Sequence, residues 1–273
     1  MDLELNRTSQ GVCPIVVVYL GRRGTGKTTL MQATARLFAE RDHLCIVSPI
    51  PTLKSRMPDL KWYKISVTNK GGIEKLFRGW MEDGVHRFVL ADEADELTAA
   101  NAAGTAGGFV AQAVYDYINY GREQGLGIAL SSRRPANIAK DICANANLVF
   151  VANTTDPSAL DYYSAWMQDP VHPEVDYRAI CRRLKDHYFM AWSPTGGEKF
   201  LGFCTVNTAE MMVRPCSMEE ALGVEPAPEQ PETTDAPSAE GTPEATTAAT
   251  GATDKTSSSP TSIGSPAASA GNG

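Results

Sequence analysis

Gly21-Arg22-Arg23-Gly24-Thr25-Gly26-Lys27-Thr28 is the stretch that decides the fold. It fits the spacing G-x-x-x-x-G-K-[ST]. Before it runs Pro14-Ile-Val-Val-Val-Tyr-Leu20, a continuous apolar segment of the kind expected for a strand buried on both faces. After it, Thr28 to Glu40 reads as a helix with Leu30, Ala33, Leu37 and Phe38 on one stripe. Strand, glycine loop and helix in that order make a phosphate cradle. The glycines let the backbone fold tightly, and its N–H groups converge on oxyanions at a helix N-terminus. Lys27 is expected to reach the terminal phosphates of a nucleotide and the Thr28 hydroxyl to ligate Mg²⁺. Gly21, Arg22, Arg23, Gly24, Thr25, Gly26, Lys27, Thr28 and Thr29 are the expected nucleotide-binding residues.

Working outward, Phe88-Val-Leu-Ala-Asp92-Glu93 is an apolar strand ending in two adjacent carboxylates. Asp92 is suited to the Mg²⁺ shell opposite Thr28. Glu93 is suited to polarise an attacking water, the task that separates a hydrolase from a kinase. Asp95 and Glu96 read as the exposed start of the next helix. Asp92-Glu93-Ala94-Asp95 spells the motif of RNA helicases, but those need two such domains and the foldable part has room for one. No N-K-x-D motif of guanine readers occurs.

The rest of the chain alternates strand-like and helix-like runs, which predicts an α/β fold around a mainly parallel sheet. Strands are expected at His43–Val47, Trp62–Val67, Leu126–Leu130 and Leu148–Val151. Helices are expected at Ile73–Met81, Val110–Tyr120 (capped by Gly121), Pro157–Met167 and Val175–Lys185. Tyr188–Trp192 and Phe200–Val206 read as a terminal β-hairpin. Two strands, or one and a β-arm, are expected to precede the Asp92 strand.

Composition bounds the function classes. Residues 225–273 are 49 residues of Pro, Thr, Ser, Ala, Glu and Gly with no aromatic residue, seven acids and one base. Such a stretch cannot bury enough apolar surface to offset its ordering entropy, so it reads as a disordered acidic tail. Residues 1–224 then carry 24 Lys and Arg against 25 Asp and Glu, which excludes a basic nucleic-acid coat. No run approaches the ~20 apolar residues of a membrane span, and MDLELNRTSQG is not a secretory pattern. The six cysteines, at 13, 45, 143, 181, 204 and 216, lack ligand spacing and read as buried thiols of a reducing compartment.

Residues 120–141 carry the finer reading. Arg122 and Gly125 precede the apolar run Leu126–Leu130, and Ser131-Ser132-Arg133-Arg134-Pro135 forms a polar tip. This order resembles the FtsK/HerA superfamily of ring-forming DNA-pumping ATPases, whose tip reads Ser/Thr-Gln-Arg-Pro. The resemblance spans about residues 14–206 and is closest to the small genome-packaging ATPases of tailless membrane-containing viruses.

It implies a single P-loop NTPase domain of the RecA/ASCE type over 1–224, with Walker A and Walker B motifs, ATP and Mg²⁺. It also implies double-stranded DNA as partner, a homo-oligomeric ring (hexamer or pentamer) and a capsid vertex or portal protein. The place would be the cytoplasm, the host's for a viral chain, with the virion as a second location. Arg133 stands where the family has a phosphate-sensing glutamine; either Ser132 takes that contact or Arg133 is a charged sensor. Arg122 is an arginine finger for a neighbouring subunit or a cation answering a helix dipole. Residues 101–108 are a pore loop or a linker, and Arg178, Arg182, Arg183 and Lys185 form a basic face. The competing classes are a nucleotide-dependent phage assembly factor that moves no DNA and a small-molecule phosphotransferase; Glu93 argues against the latter.

Overall fold

The computed structural model describes residues 5–66, 68–98, 112–134, 137–138, 140–167, 175–196 and 199–224. The chain divides into two units, Met1–Pro228 and Glu229–Gly273; the second lies outside the described residues.

In chain order the elements are β1 (Val16–Leu20), α1 (Lys27–Phe38), β2 (Leu44–Ser48), α2 (Thr52–Arg56), β3 (Lys61–Lys64), α3 (Lys70–Glu82) and β4 (Arg87–Ala91). Then follow α4 (Asp95–Thr98), α5 (Gln112–Tyr120), β5 (Leu126–Ser132), α6 (Lys140–Asn145), β6 (Leu148–Val151), α7 (Pro157–Trp166) and α8 (Tyr177–Arg183). The last elements among the described residues are β7 (Tyr188–Trp192), β8 (Phe200–Asn207), β9 (Met212–Cys216) and α9 (Met218–Leu222). These form one nine-stranded sheet in the order β3-β2-β4-β5-β1-β6-β7-β8-β9. The first six strands pair in parallel and the last three antiparallel. Among the described residues no helix is long and apolar enough to cross a membrane.

Both faces of the central strands are covered, so their apolar runs are continuous. Along β1, Val18 and Leu20 join a core with α3, α5 and α8, while Val17 and Tyr19 join a second core with α1. Tyr19 stacks on Phe150 at 5.2 Å and Phe38 on Phe88 at 5.0 Å. Phe77, Trp80 and Tyr117 pack edge-on, Phe77 lying 5.1 Å from Trp80 and 5.2 Å from Tyr117. Five of the six cysteines are buried, and all six are free thiols.

Two strands, β2 and β3, do precede β4 in the chain. The strand that separates β1 from β4 in the sheet, however, comes later: β5 pairs with both. The terminal hairpin is present but is a three-stranded meander, with β9 added on its outer edge. Gly121 does not take the left-handed cap; it opens a 3-10 turn, and Gly125 (φ 69°) makes the reversal into β5.

β5 packs closely between β4 and β1, and its second residue, Gly127, has no side chain. A Cβ on Gly127 would fall 2.5 Å from the Phe88 ring and against the Cys13 carbonyl oxygen. Gly79, exposed on α3, has nothing within 4 Å of that position. Gly127→Ala is therefore expected to cost about 1–3 kcal/mol by overpacking, whereas Gly79→Ala gains up to about 1 kcal/mol in helix propensity. Thermal melts of the two variants should move in opposite directions; equal shifts would contradict this packing.

Candidate active site

The site forms where the carboxyl ends of β1, β4 and β5 meet, beside the point where successive connections leave to opposite sides of β1. At the end of β1 the chain turns through Gly21 (φ 149°), Gly24 (φ 88°) and Gly26 (φ 91°). These backbones are open to glycine, and Gly21 adds a steric demand: its Cβ would sit 2.7 Å from that of Ala152. Gly26 is the N-cap of α1 and makes no side-chain cap. The first-turn amides thus lack a side-chain acceptor, as an anion site needs. The Lys27 ammonium donates to the carbonyls of Gly21 (2.6 Å) and Arg22 (2.9 Å). Burial pushes its pKa down, against the nearby Glu93 and Asp92 carboxylates that hold it up.

Two strands away, Asp92 is 3 % exposed. Ser131, at the tip of β5, donates to Asp92 Oδ1 at 2.6 Å, and the Thr28 hydroxyl lies 3.4 Å from both carboxylate oxygens. Burial raises the Asp92 pKa; the Ser131 hydrogen bond opposes this and the Glu93 charge adds to it. Glu93 itself has φ 56°, an uncommon backbone for a residue with a side chain. Its N–H donates to Ser131 Oγ at 3.1 Å, and Ala94 N–H donates to the Ser131 carbonyl at 2.7 Å. Ser131 thereby holds the turn that aims both carboxylates. Arg133 Nη2 lies 2.9 Å from Glu93 Oε1.

These groups line one cavity of about 410 Å³, together with Arg23, Thr29 and Ile50. Of the expected residues, Arg23, Gly24, Gly26, Lys27, Thr28, Thr29, Asp92, Glu93 and Arg133 are brought together there. Ser132 is not: it is buried, and its hydroxyl contacts Asp95 and the backbone of Arg134. Asp95 is therefore engaged, not simply an exposed helix start. Thr25 turns inward and donates to the Arg22 carbonyl (2.9 Å), while Arg22 pairs with Asp186 (3.3 Å). Arg122 lies before β5, whereas the site lies beyond its far end, roughly 20 Å away at the rise of a strand. It is exposed and borders a separate cavity. Residues 101–108 lie outside the described residues.

Sequence reasoning missed Ser131, His187, Thr52 and Arg56, all of which line the cavity. His187 has φ 71°, donates its N–H to the Thr25 carbonyl (3.1 Å) and accepts from Thr205 (2.8 Å). Its ring lies against Gly26, 2.5 Å from where a Cβ would stand. Among the described residues no group of three His, Cys, Asp or Glu side chains gathers. Thr28 and Asp92 offer a hydroxyl and a carboxylate, a sparse oxygen set that suits Mg²⁺ completed by water and phosphate oxygens.

No family model matches the sequence, and no curated protein matches it. Solved structures do. B204, the DNA-packaging ATPase of Sulfolobus turreted icosahedral virus, superposes with a TM-score of 0.52 at 17 % identity, covering 75 % of this chain and 98 % of B204. The genome-packaging NTPase B204 of Sulfolobus turreted icosahedral virus 2 in complex with AMP gives 0.52 at 16 % over the same shares. Its complex with ATP-γ-S gives 0.50 at 17 %, again over 75 % and 98 %. The fold is therefore that of the B204 packaging ATPases. In this chain the sheet brings the glycine loop after β1 and the carboxylate pair after β4 to one edge, with β5 between them.

Because burial raises the Asp92 pKa in the folded state, its ionisation costs stability. That cost is absent below the unfolded aspartate pKa, about 4, grows as pH rises from there to the raised folded value, and is complete above it. Asp92→Asn is thus expected to melt higher than wild type at pH 8, with the difference vanishing toward pH 4. A variant that melts lower at every pH would contradict this.

Proposed function

We propose that residues 1–224 are an Mg²⁺-dependent ATPase that works as a homo-oligomeric ring and translocates double-stranded DNA, packaging a viral genome into a capsid. The observation that carries the reading is the single cavity shared by Lys27, Thr28, Asp92 and Glu93. Its wall holds four cations (Arg23, Lys27, Arg56, Arg133) against two carboxylates, a net of +2. A magnesium nucleoside triphosphate, of net charge about −2, complements it.

In this reading Lys27 exchanges its two loop carbonyls for phosphate oxygens, and the α1 amides cradle the same group. Thr28 and Asp92 hold the magnesium ion, which when bound neutralises charge on the terminal phosphates. Glu93 takes the proton of the attacking water. Arg133 is within reach of both Glu93 and the phosphate, as a charged sensor must be. Ser131, not Ser132, supplies the hydroxyl at the strand tip. Arg122 stands too far from its own cavity to contribute there, so any finger role is toward a neighbouring subunit. Packaging is supported by the fold shared with B204, itself described as a DNA-packaging ATPase. A capsid vertex or portal protein would be the further partner.

Lys27→Ala is expected to abolish ATP binding. Glu93→Gln is expected to keep ATP binding while turnover falls by about 10²–10⁴-fold, the usual worth of a general base. Fluorescent-nucleotide binding and phosphate release measured on the same preparations separate the two effects. Unchanged turnover in Glu93→Gln would remove Glu93 from the water-activating role.

A further inference from the structure

The cavity wall contains an arginine outside every motif of the sequence. Arg56 is the last residue of α2, the short helix after β2. The bland role for a cation there is to answer the helix dipole, but its surroundings do more than that. Leu53, fully buried, anchors α2 in the same core as Leu30, Met31 and Phe38 of α1. Gln32 of α1 donates to the Arg56 carbonyl at 3.4 Å. Arg56 Nη1 in turn donates to Thr29 Oγ1 at 2.7 Å. Thr29 and Gln32 are three residues apart and so lie on one face of α1. Backbone and guanidinium of Arg56 are therefore both fixed to the first turns of the helix that begins at the phosphate loop.

Arg23 belongs to the glycine loop itself, and the other two cations of the wall are already held. Lys27 is held by two backbone carbonyls and Arg133 by Glu93. Arg56 makes no ion pair among the described residues, yet it lines the cavity beside Thr28, Asp92 and Glu93. A guanidinium has five donors in a fixed fork, and the Thr29 bond uses one of its nitrogens. Its remaining donors and its full charge face the cavity at the uncapped N-terminus of α1, the place the nucleotide reading gives to the phosphate chain.

We infer that Arg56 is a phosphate-contacting residue acting in its own subunit, oriented by Thr29, that binds the phosphate chain of the nucleotide. This rests on the nucleotide reading above and names a residue of that same site. Thr29 is then a positioning residue: its side chain aims the guanidinium and need not touch the ligand.

The test is equilibrium binding of a fluorescent ATP analogue to the full chain, with phosphate release and melting temperature measured in parallel. A charge-assisted hydrogen bond of the usual worth predicts that Arg56→Gln weakens binding about tenfold or more. Arg56→Lys, which keeps the charge but loses the fork, should recover part of that loss, and Thr29→Val should show an intermediate loss. All three should melt within a few degrees of wild type. If Arg56→Gln binds and turns over like wild type, or if its binding loss only tracks a fall in melting temperature that Arg56→Lys shares, the inference is overturned. A wild-type chain that fails to bind the analogue would instead overturn the nucleotide reading, and with it this one.

Discussion

A carboxylate buried at the end of a strand constrains the rest of this structure. Asp92 loses almost all its water, and a buried charge is tolerated only where donors or opposite charges meet it. Ser131 supplies the short hydrogen bond, and it can do so because β5 lies between β4 and β1. That insertion in turn needs Gly127, where the Phe88 ring and the Cys13 carbonyl leave no room for a side chain. With β5 between them, the glycine loop and the carboxylate pair stand two strands apart. The left-handed backbone of Glu93 belongs to the same arrangement. Two hydrogen bonds to Ser131 hold that turn, and an uncommon conformation persists where its surroundings over-determine it.

The second constraint comes from the far end of the chain. The turn before β7 grips the phosphate loop: His187 donates to Thr25, and Asp186 pairs with Arg22. The His187 ring lies where only a glycine at position 26 leaves space. The antiparallel meander β7–β9 is therefore not an appendage. Its first strand starts at the loop, and α1 also packs against β8 and β9.

What was legible in the sequence was local. The phosphate loop, the Asp92–Glu93 pair and the apolar strands are written in contiguous residues, and the central parallel sheet follows from their alternation with helices. What was not legible depends on partners far away in the chain. The place of β5 between β1 and β4 is a long-range pairing. The choice of Ser131 over Ser132 turns on strand parity, since one residue of shift moves a side chain to the other face. β9 was missed because Met212-Val-Arg-Pro-Cys216 has no clear period and contains a proline, tolerated at the sheet edge where β9 lies. Gly121 and Gly125 both follow a helical run, and only backbone geometry tells which reverses the chain. His187 and Arg56 carry no motif; tertiary packing alone delivers them to the cavity.

On the proposed reading these features form a site that binds and cleaves a nucleotide, on a fold shared with a viral DNA-packaging ATPase. The central claim is that cleavage is coupled to duplex DNA. The direct measurement is ATP turnover by the full chain at one fixed low ionic strength, with and without double-stranded DNA; the salt must be held constant because backbone binding depends steeply on it. The account predicts several-fold stimulation by duplex DNA that disappears in Lys27→Ala. Turnover indifferent to DNA would contradict it.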